Sequence, residues 1–140
     1  MCSSDLADLR DLQRPEIRRI AIANPGHAPY GRAAQQALQS LGLWERLKPK
    51  LVYGENVRHA LQFLQTGNVE AGIVALSVAA VPEVSYVLLD ASLHAPLNQT
   101  AAVVRRSPRP EVGLAFIRFV TGPSGRPVMK RFGFVLPGES

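Results

Sequence analysis

Apolar positions along the chain fall into two kinds of run. Ile20-Ala21-Ile22-Ala23 and residues 71–76 are apolar without alternation, the pattern of a strand covered on both faces. Elsewhere the apolar positions recur at threes and fours. Ala33, Ala34, Ala37, Leu38 and Leu41 share one stripe and predict a helix over 30–41, with Gly42 as its stop. Val57, Ala60, Leu61 and Leu64 predict a second helix over 57–65, stopped at Gly67. A third opens at Pro110, with Val112, Leu114, Ala115, Ile117, Phe119 and Val120 on its apolar face, and ends at Gly122-Pro123. Ser124 is expected to cap a last helix running to about Phe132.

Shorter segments fill the gaps: a helical turn at 43–47, a strand at 50–53, and further strands at 85–89 and 100–105. Leu6, Leu9 and Leu12 recur at threes and predict a short amphipathic helix before Pro15, with no packing partner visible in the sequence. Strands alternating with helices predict an α/β fold, a mainly parallel sheet flanked by helices.

Composition narrows the classes. A chain of 140 residues, 46% hydrophobic and 19% charged, reads as one modest globular α/β domain. Its longest apolar stretch, 71–81, is too short to span a bilayer and is bounded by Glu70 and Pro82. The net charge of +5 is scattered, with its densest pairs at Arg18-Arg19, Arg105-Arg106 and Lys130-Arg131. No aromatic residues interleave them to stack bases, so no nucleic-acid partner is expected. The single Cys2 has no disulfide partner, and no apolar segment precedes it to suggest a lipid anchor. Residues 1–14 are polar and acidic rather than basic then apolar, so no signal peptide is expected in this chain, and the expectation is either an intracellular protein or one without its true N-terminus.

Two loops carry the candidate chemistry. Asn24-Pro25-Gly26-His27-Ala28-Pro29-Tyr30-Gly31 and Gly54-Glu55-Asn56-Val57 each lead from a predicted strand into a predicted helix. In an open α/β sheet such strand ends line the ligand crevice. Helix starts offer unpaired N–H groups and the positive end of the macrodipole. No Lys or Arg lies in either loop, which favours backbone-mediated oxyanion binding over guanidinium clamping.

Other candidates read more simply. His27 reads as a turn-stabilising residue, because His59 and His94 show no ligand spacing with it. Glu55 reads as a first-turn charge favouring the helix dipole rather than a general base. Ser77 is not in a nucleophile elbow. Trp44, Phe116, Phe119, Phe132 and Phe134 read as packing residues. No catalytic constellation and no cofactor motif emerges, so no enzyme is expected.

Three stretches, IAIANPGHAPYGRAAQQAL, GLWERLKPKLVYGENVRHALQFLQTGNVEAGIVALS and FIRFVTGPSGRPVMKRFGF, resemble the second half of the molybdate-binding periplasmic solute-binding proteins of ABC importers. The similarity is nearly continuous from Arg19 to Phe134. It implies the second lobe of a type II periplasmic binding protein fold over residues 19–106. It also implies C-terminal helices over 107–140 that return to a first lobe. Residues 1–18 match nothing in the family, which implies a truncated receptor without its first lobe.

The resemblance further implies a periplasmic monomer that binds a tetrahedral oxyanion, molybdate or tungstate, and delivers it to a membrane permease. It places Tyr30 and Val57 at ligand positions through their N–H groups, with Asn56 adjacent and the Tyr30 hydroxyl as a further contact. Some members have a tyrosine where this chain has Ala75. The molybdate oxyanion would be the only metal-containing partner. An intracellular effector-sensing regulatory domain of the same fold is the alternative.

Overall fold

Along Ile20–Ala23 (β1) successive side chains point to opposite faces, and all four residues are buried. Ile20 and Ile22 pack with Ala34, Ala37 and Leu38 of α1 (Pro29–Ser40) and with Trp44 and Leu47, the two ends of α2 (Trp44–Leu47). Ala21, on the other face, packs with Ala60 of α3 (Val57–Gln65) and with Val69. Helices on both faces therefore require both strand faces to be apolar, which is why the sequence shows no alternation there.

β1 is the centre of a three-stranded parallel sheet of order β2-β1-β3, with β2 at Leu51–Gly54 and β3 at Ala71–Ile73. In register, Ala23 sits opposite Gly54 and Ile22 opposite both Tyr53 and Ile73. The carboxyl ends of β1 and β2 thus lie side by side. The crossover helices α1 and α3 end where the sequence predicts. Gly42 and Gly67 take left-handed φ values of 66° and 71°, which let Leu43 and Asn68 donate back to Leu38 and Phe63.

The computed structural model describes residues 6–139; Cys2 and the other residues of 1–5 lie outside the described residues, as does Ser140. The chain divides into two compact units, Met1–Leu97 and Asn98–Ser140.

The first unit corrects several expectations. The short helix expected before Pro15 forms at Leu9–Gln13 as a 3-10 helix, with Asp8 and Asp11 forming a capping box. Three residues per turn is the period that a strict spacing of three fits, so Leu9 and Leu12 align on one side. They are 6% and 3% exposed and join the Ile20–Ile22 core, which is the partner the sequence did not disclose. The ammonium of Lys50 fastens this segment by donating to the carbonyls of Leu12 and Arg14, both at 3.2 Å. The strand expected over 71–76 ends at Ile73, and Leu76–Ala79 forms the short helix α4. Residues 85–89, and 100–105 in the second unit, form no strand, because neither run has a ladder partner and an unpaired strand is not stable.

In the second unit, α5 (Pro110–Thr121) and α6 (Arg126–Arg131) form where Pro110 and Pro127 stand in their first turns. Ser124 does not cap α6; Gly125 holds the N-cap position without a side-chain bond. No residue of α5 is buried, and Phe116 and Phe119 are 67% and 59% exposed. Phe132 is exposed too and Phe134 half-buried, so of the aromatic residues expected to pack only Trp44 lies in the core.

Candidate functional site

Two loop-to-helix junctions meet at the carboxyl ends of β1 and β2. The first is a tight turn. Asn24 Oδ1 accepts from the Gly26 N–H at 2.9 Å, and the Asn24 carbonyl accepts from Ala28 N–H at 2.9 Å. Helix α1 then opens on Pro29 with Ala28 as an N-cap that has no side-chain bond, and its first α-turn closes from Arg32 N–H to the Ala28 carbonyl. No side chain occupies the N-terminal end of α1 as a cap.

The second junction is built by Asn56. In an extended conformation, it caps α3 by accepting the His59 N–H on Oδ1 at 3.0 Å, while its carbonyl accepts from Ala60 N–H. The Asn56 side-chain oxygen is thus committed to the helix. Val57 becomes the first residue of α3, with its N–H directed out of the helix end. Tyr30 and Val57 are half-buried and Asn56 is exposed.

Glycine brings both helices close to the strands. A Cβ on Gly31 would lie 2.2 Å from the Ala23 carbonyl oxygen, and one on Gly54 2.6 Å from the Ala60 nitrogen. Each helix start therefore rests directly on backbone, as a β-carbon would not allow.

The two loops are also tied to each other. Asn24 N–H donates to the Gly54 carbonyl at 2.8 Å, extending the β1–β2 ladder by one bond. Beyond it, His27 Nε2 lies 2.8 Å from the Glu55 carbonyl oxygen. A carbonyl can only accept, so Nε2 carries the proton. On its other side the Glu55 N–H donates to His59 Nδ1 at 3.2 Å, and the His59 ring stacks on Phe63 with centroids 4.6 Å apart. Both backbone groups of Glu55 are thus held by imidazoles. Glu55 itself precedes the N-cap of α3, outside the first turn where the sequence placed its charge. His27 stabilises more than its own turn, because its partner is 28 residues away. No local signal in the sequence reports that pairing.

Tyr30 also lines a cavity of about 330 Å³ with Ala33, Ala75, Leu76 and Tyr86, so Tyr30 and Ala75 face one space. Its walls are mainly aliphatic, and His94, whose Nδ1 lies 2.8 Å from the Ala95 carbonyl oxygen, is among them. The carboxylates held below their ordinary pKa, Asp11, Glu70, Asp90 and Glu139, all lie outside both loops. Among the described residues no group of three or more His, Cys, Asp or Glu is placed to hold a metal ion, and no helix is long and apolar enough to cross a membrane. What the junctions offer an incoming group is backbone donors and two helix ends. That chemistry suits an anion whose charge is shared over several oxygens.

Comparison with known proteins agrees with this architecture. Residues 3–135 match the family model of bacterial extracellular solute-binding proteins. The chain is 36% identical over 129 residues to the molybdate-binding protein ModA of Azotobacter vinelandii, an alignment spanning 89% of this chain and 51% of that protein. It is 32% identical over 123 residues to ModA of Rhodobacter capsulatus, spanning 87% of this chain and 49% of that one. The solved structure of the Azotobacter vinelandii periplasmic molybdate-binding protein superposes with a TM-score of 0.81 at 31% identity, covering 90% of this chain and 57% of that one. The chain therefore spans about half the length of the curated relatives it matches.

Proposed function

Because the chain belongs to the bacterial extracellular solute-binding protein family, we propose that it supplies the second-lobe half of a cleft that binds a tetrahedral oxyanion, molybdate or tungstate, for uptake by an ABC importer. The observation that carries this reading is the pair of adjoining loop-to-helix junctions at the ends of β1 and β2, whose loops 24–31 and 54–57 hold no Lys or Arg. The molybdate-binding relatives name the anion. Tyr30 and Val57 are its backbone donors, and Asn56 shapes the second junction by capping α3. The protein is a non-enzymatic receptor, periplasmic and monomeric, and its partner is the membrane permease. Residues 19–106 form the second lobe, and 107–140 return to the first. The exposed Phe116 and Phe119 of α5 suit a helix that another lobe covers.

Magnitudes indicate what half a cleft can do. Micromolar binding needs about 8 kcal/mol and millimolar binding about 4 kcal/mol. A helix end contributes about 0.3–1 kcal/mol at an exposed site, and hydrogen bonds to a charged group about 1.5–3 kcal/mol each. A few such bonds, set against the entropy of association, leave an open half-site near the millimolar level or weaker.

The test is calorimetry with molybdate, tungstate, sulfate and phosphate, on this chain and on this chain joined to the N-terminal half of the Azotobacter protein. The joined protein is expected to bind molybdate and tungstate at micromolar levels or better, and the chain alone a hundredfold or more weakly. Val57→Pro sharpens the attribution. Proline is favoured at the first helical position and removes the N–H of interest while replacing the half-buried valine side chain, and Asn56 is already extended as a pre-proline residue must be. In the joined protein it is expected to weaken molybdate binding about tenfold or more. If the joined protein binds none of the four anions, or V57P binds like the parent, the reading is wrong.

A further inference from the structure

We propose that His27 is the positioning residue of this anion site: its Nε2–H bond to the Glu55 carbonyl latches the first junction onto the second and sets the spacing between the two groups of backbone donors. The inference rests on the oxyanion reading for its consequence, although the latch itself is a feature of the structure. An anion shared between two helix starts is bound well only if both starts stay in register with it. Within a rigid sheet the strands hold β1 and β2 together, but that ladder ends at the bond from Asn24 to Gly54. Past it, no further ladder bond ties one loop to the other. His27 supplies the next tie, at 2.8 Å, one residue before the Asn56 cap and two before Val57.

The same peptide is held from the opposite side. The Glu55 N–H bonds His59 Nδ1, and His59 belongs to α3, where it packs on Phe63. Glu55 is thereby fixed between an imidazole of the first loop and an imidazole of its own helix. His27 contributes the only one of these two bonds that crosses between junctions. Its bond is exposed, so it adds little to global stability. Orientation of the Glu55–Val57 backbone is what it controls.

Three variants of the full chain, His27→Ala, His27→Gln and His27→Asn, separate this role from a general one. A glutamine amide can place its nitrogen near the position of Nε2 and donate to the same carbonyl; asparagine is too short. The backbone of residues 54–57 is followed by 15N relaxation and by the Glu55 carbonyl carbon shift, and sodium molybdate is titrated while the Tyr30 and Val57 amide signals are watched. Alanine and asparagine are expected to shift the Glu55 carbonyl signal, to raise mobility at residues 55–57, and to weaken molybdate about three- to tenfold, the equivalent of one hydrogen bond. Glutamine is expected to restore all three, with thermal midpoints nearly unchanged throughout.

If alanine and asparagine leave the carbonyl signal, the mobility and the affinity as in the parent, the latch is overturned. It is equally overturned if glutamine behaves like alanine. If the parent shows no response at Tyr30 and Val57 at any molybdate concentration while the variants still loosen residues 55–57 and glutamine restores them, the latch stands and the oxyanion reading fails. Should alanine unfold the chain, the contrast between glutamine and asparagine carries the test.

Discussion

Replacing Gly31 by alanine sets two effects of opposite sign against each other. Gly31 lies in the first turn of α1 with ordinary helical backbone, where alanine is the better helix former by about 1 kcal/mol. On propensity alone Gly31→Ala would stabilise the protein. The structure says otherwise. The new Cβ would sit 2.2 Å from the Ala23 carbonyl oxygen and 2.7 Å from the carbonyl carbons of Ala23 and Asn24, whereas real β-carbons essentially never come within 3.0 Å. All three atoms are backbone at the end of the central strand, so no side chain can rotate away. Relief requires α1 to lift from β1 by roughly 0.8 Å, the shortfall from 2.2 to 3.0 Å. That lift strains the packing of Ala34, Ala37 and Leu38 on Ile20 and Ile22.

Overpacking of this kind costs typically about 1–3 kcal/mol, and a backbone-on-backbone clash belongs at the upper end. After the propensity gain, the net expectation is destabilisation by about 1–2 kcal/mol. Urea unfolding followed by the fluorescence of Trp44, the single tryptophan and a core residue, measures it directly. Because Tyr30 is carried on the displaced turn, molybdate binding is expected to fall by about tenfold as well. A G31A protein that is more stable by about 1 kcal/mol, as propensity alone demands, would show that α1 does not rest on the end of β1.

Glu70 accepts the N–H groups of Arg19 at 2.8 Å and Arg18 at 3.0 Å, and these bonds, the Arg19 one foremost, hold its pKa below the ordinary 4.5 despite partial burial. A carboxylate with a lowered folded-state pKa contributes stability that is present above its unfolded value and lost as pH falls through the folded value. The parent is therefore expected to lose stability progressively below pH 4.5, and Glu70→Gln, which starts less stable at pH 7, to lose less over the same range. Urea midpoints measured from pH 7 down to pH 3 check this, and parallel curves for the two proteins would count against it. Asn56→Ala removes the cap on α3 and is expected to cost about 1 kcal/mol. Asn56→Asp keeps the cap but adds a negative charge beside the proposed anion. It is therefore expected to unfold like the parent while binding molybdate more weakly, and equal binding by both proteins would place the anion elsewhere.

Periodicity located most elements of the first unit. The helix over 57–65 was legible to the residue, because a stripe at threes and fours follows the turn Gly54-Glu55-Asn56 and ends before the stop at Gly67. The strand at Ile20–Ala23 was legible for a different reason: a run that is apolar on both faces can only be covered on both. The junctions Asn24–Gly31 and Gly54–Val57 were legible as loops entering helices, since Asn, Pro and Gly mark such turns by their own backbone preferences. These features depend on interactions within a few residues, and the sequence by itself determined them.

Pairing and contact were decided only in three dimensions. The runs at 85–89 and 100–105 have strand-like composition, but a strand exists only when a neighbour completes its ladder, and composition does not state whether one is present. Leu9 and Leu12 announce a face without saying what covers it; the side of β1 does. Asn56 reads as a neighbour of the ligand site until its oxygen is seen capping α3 on the His59 N–H. His27 reads as a turn residue until its ring is seen on a carbonyl 28 positions away. Local preference is written residue by residue along the chain, whereas which residues of two loops meet is decided by the register of the strands that carry them.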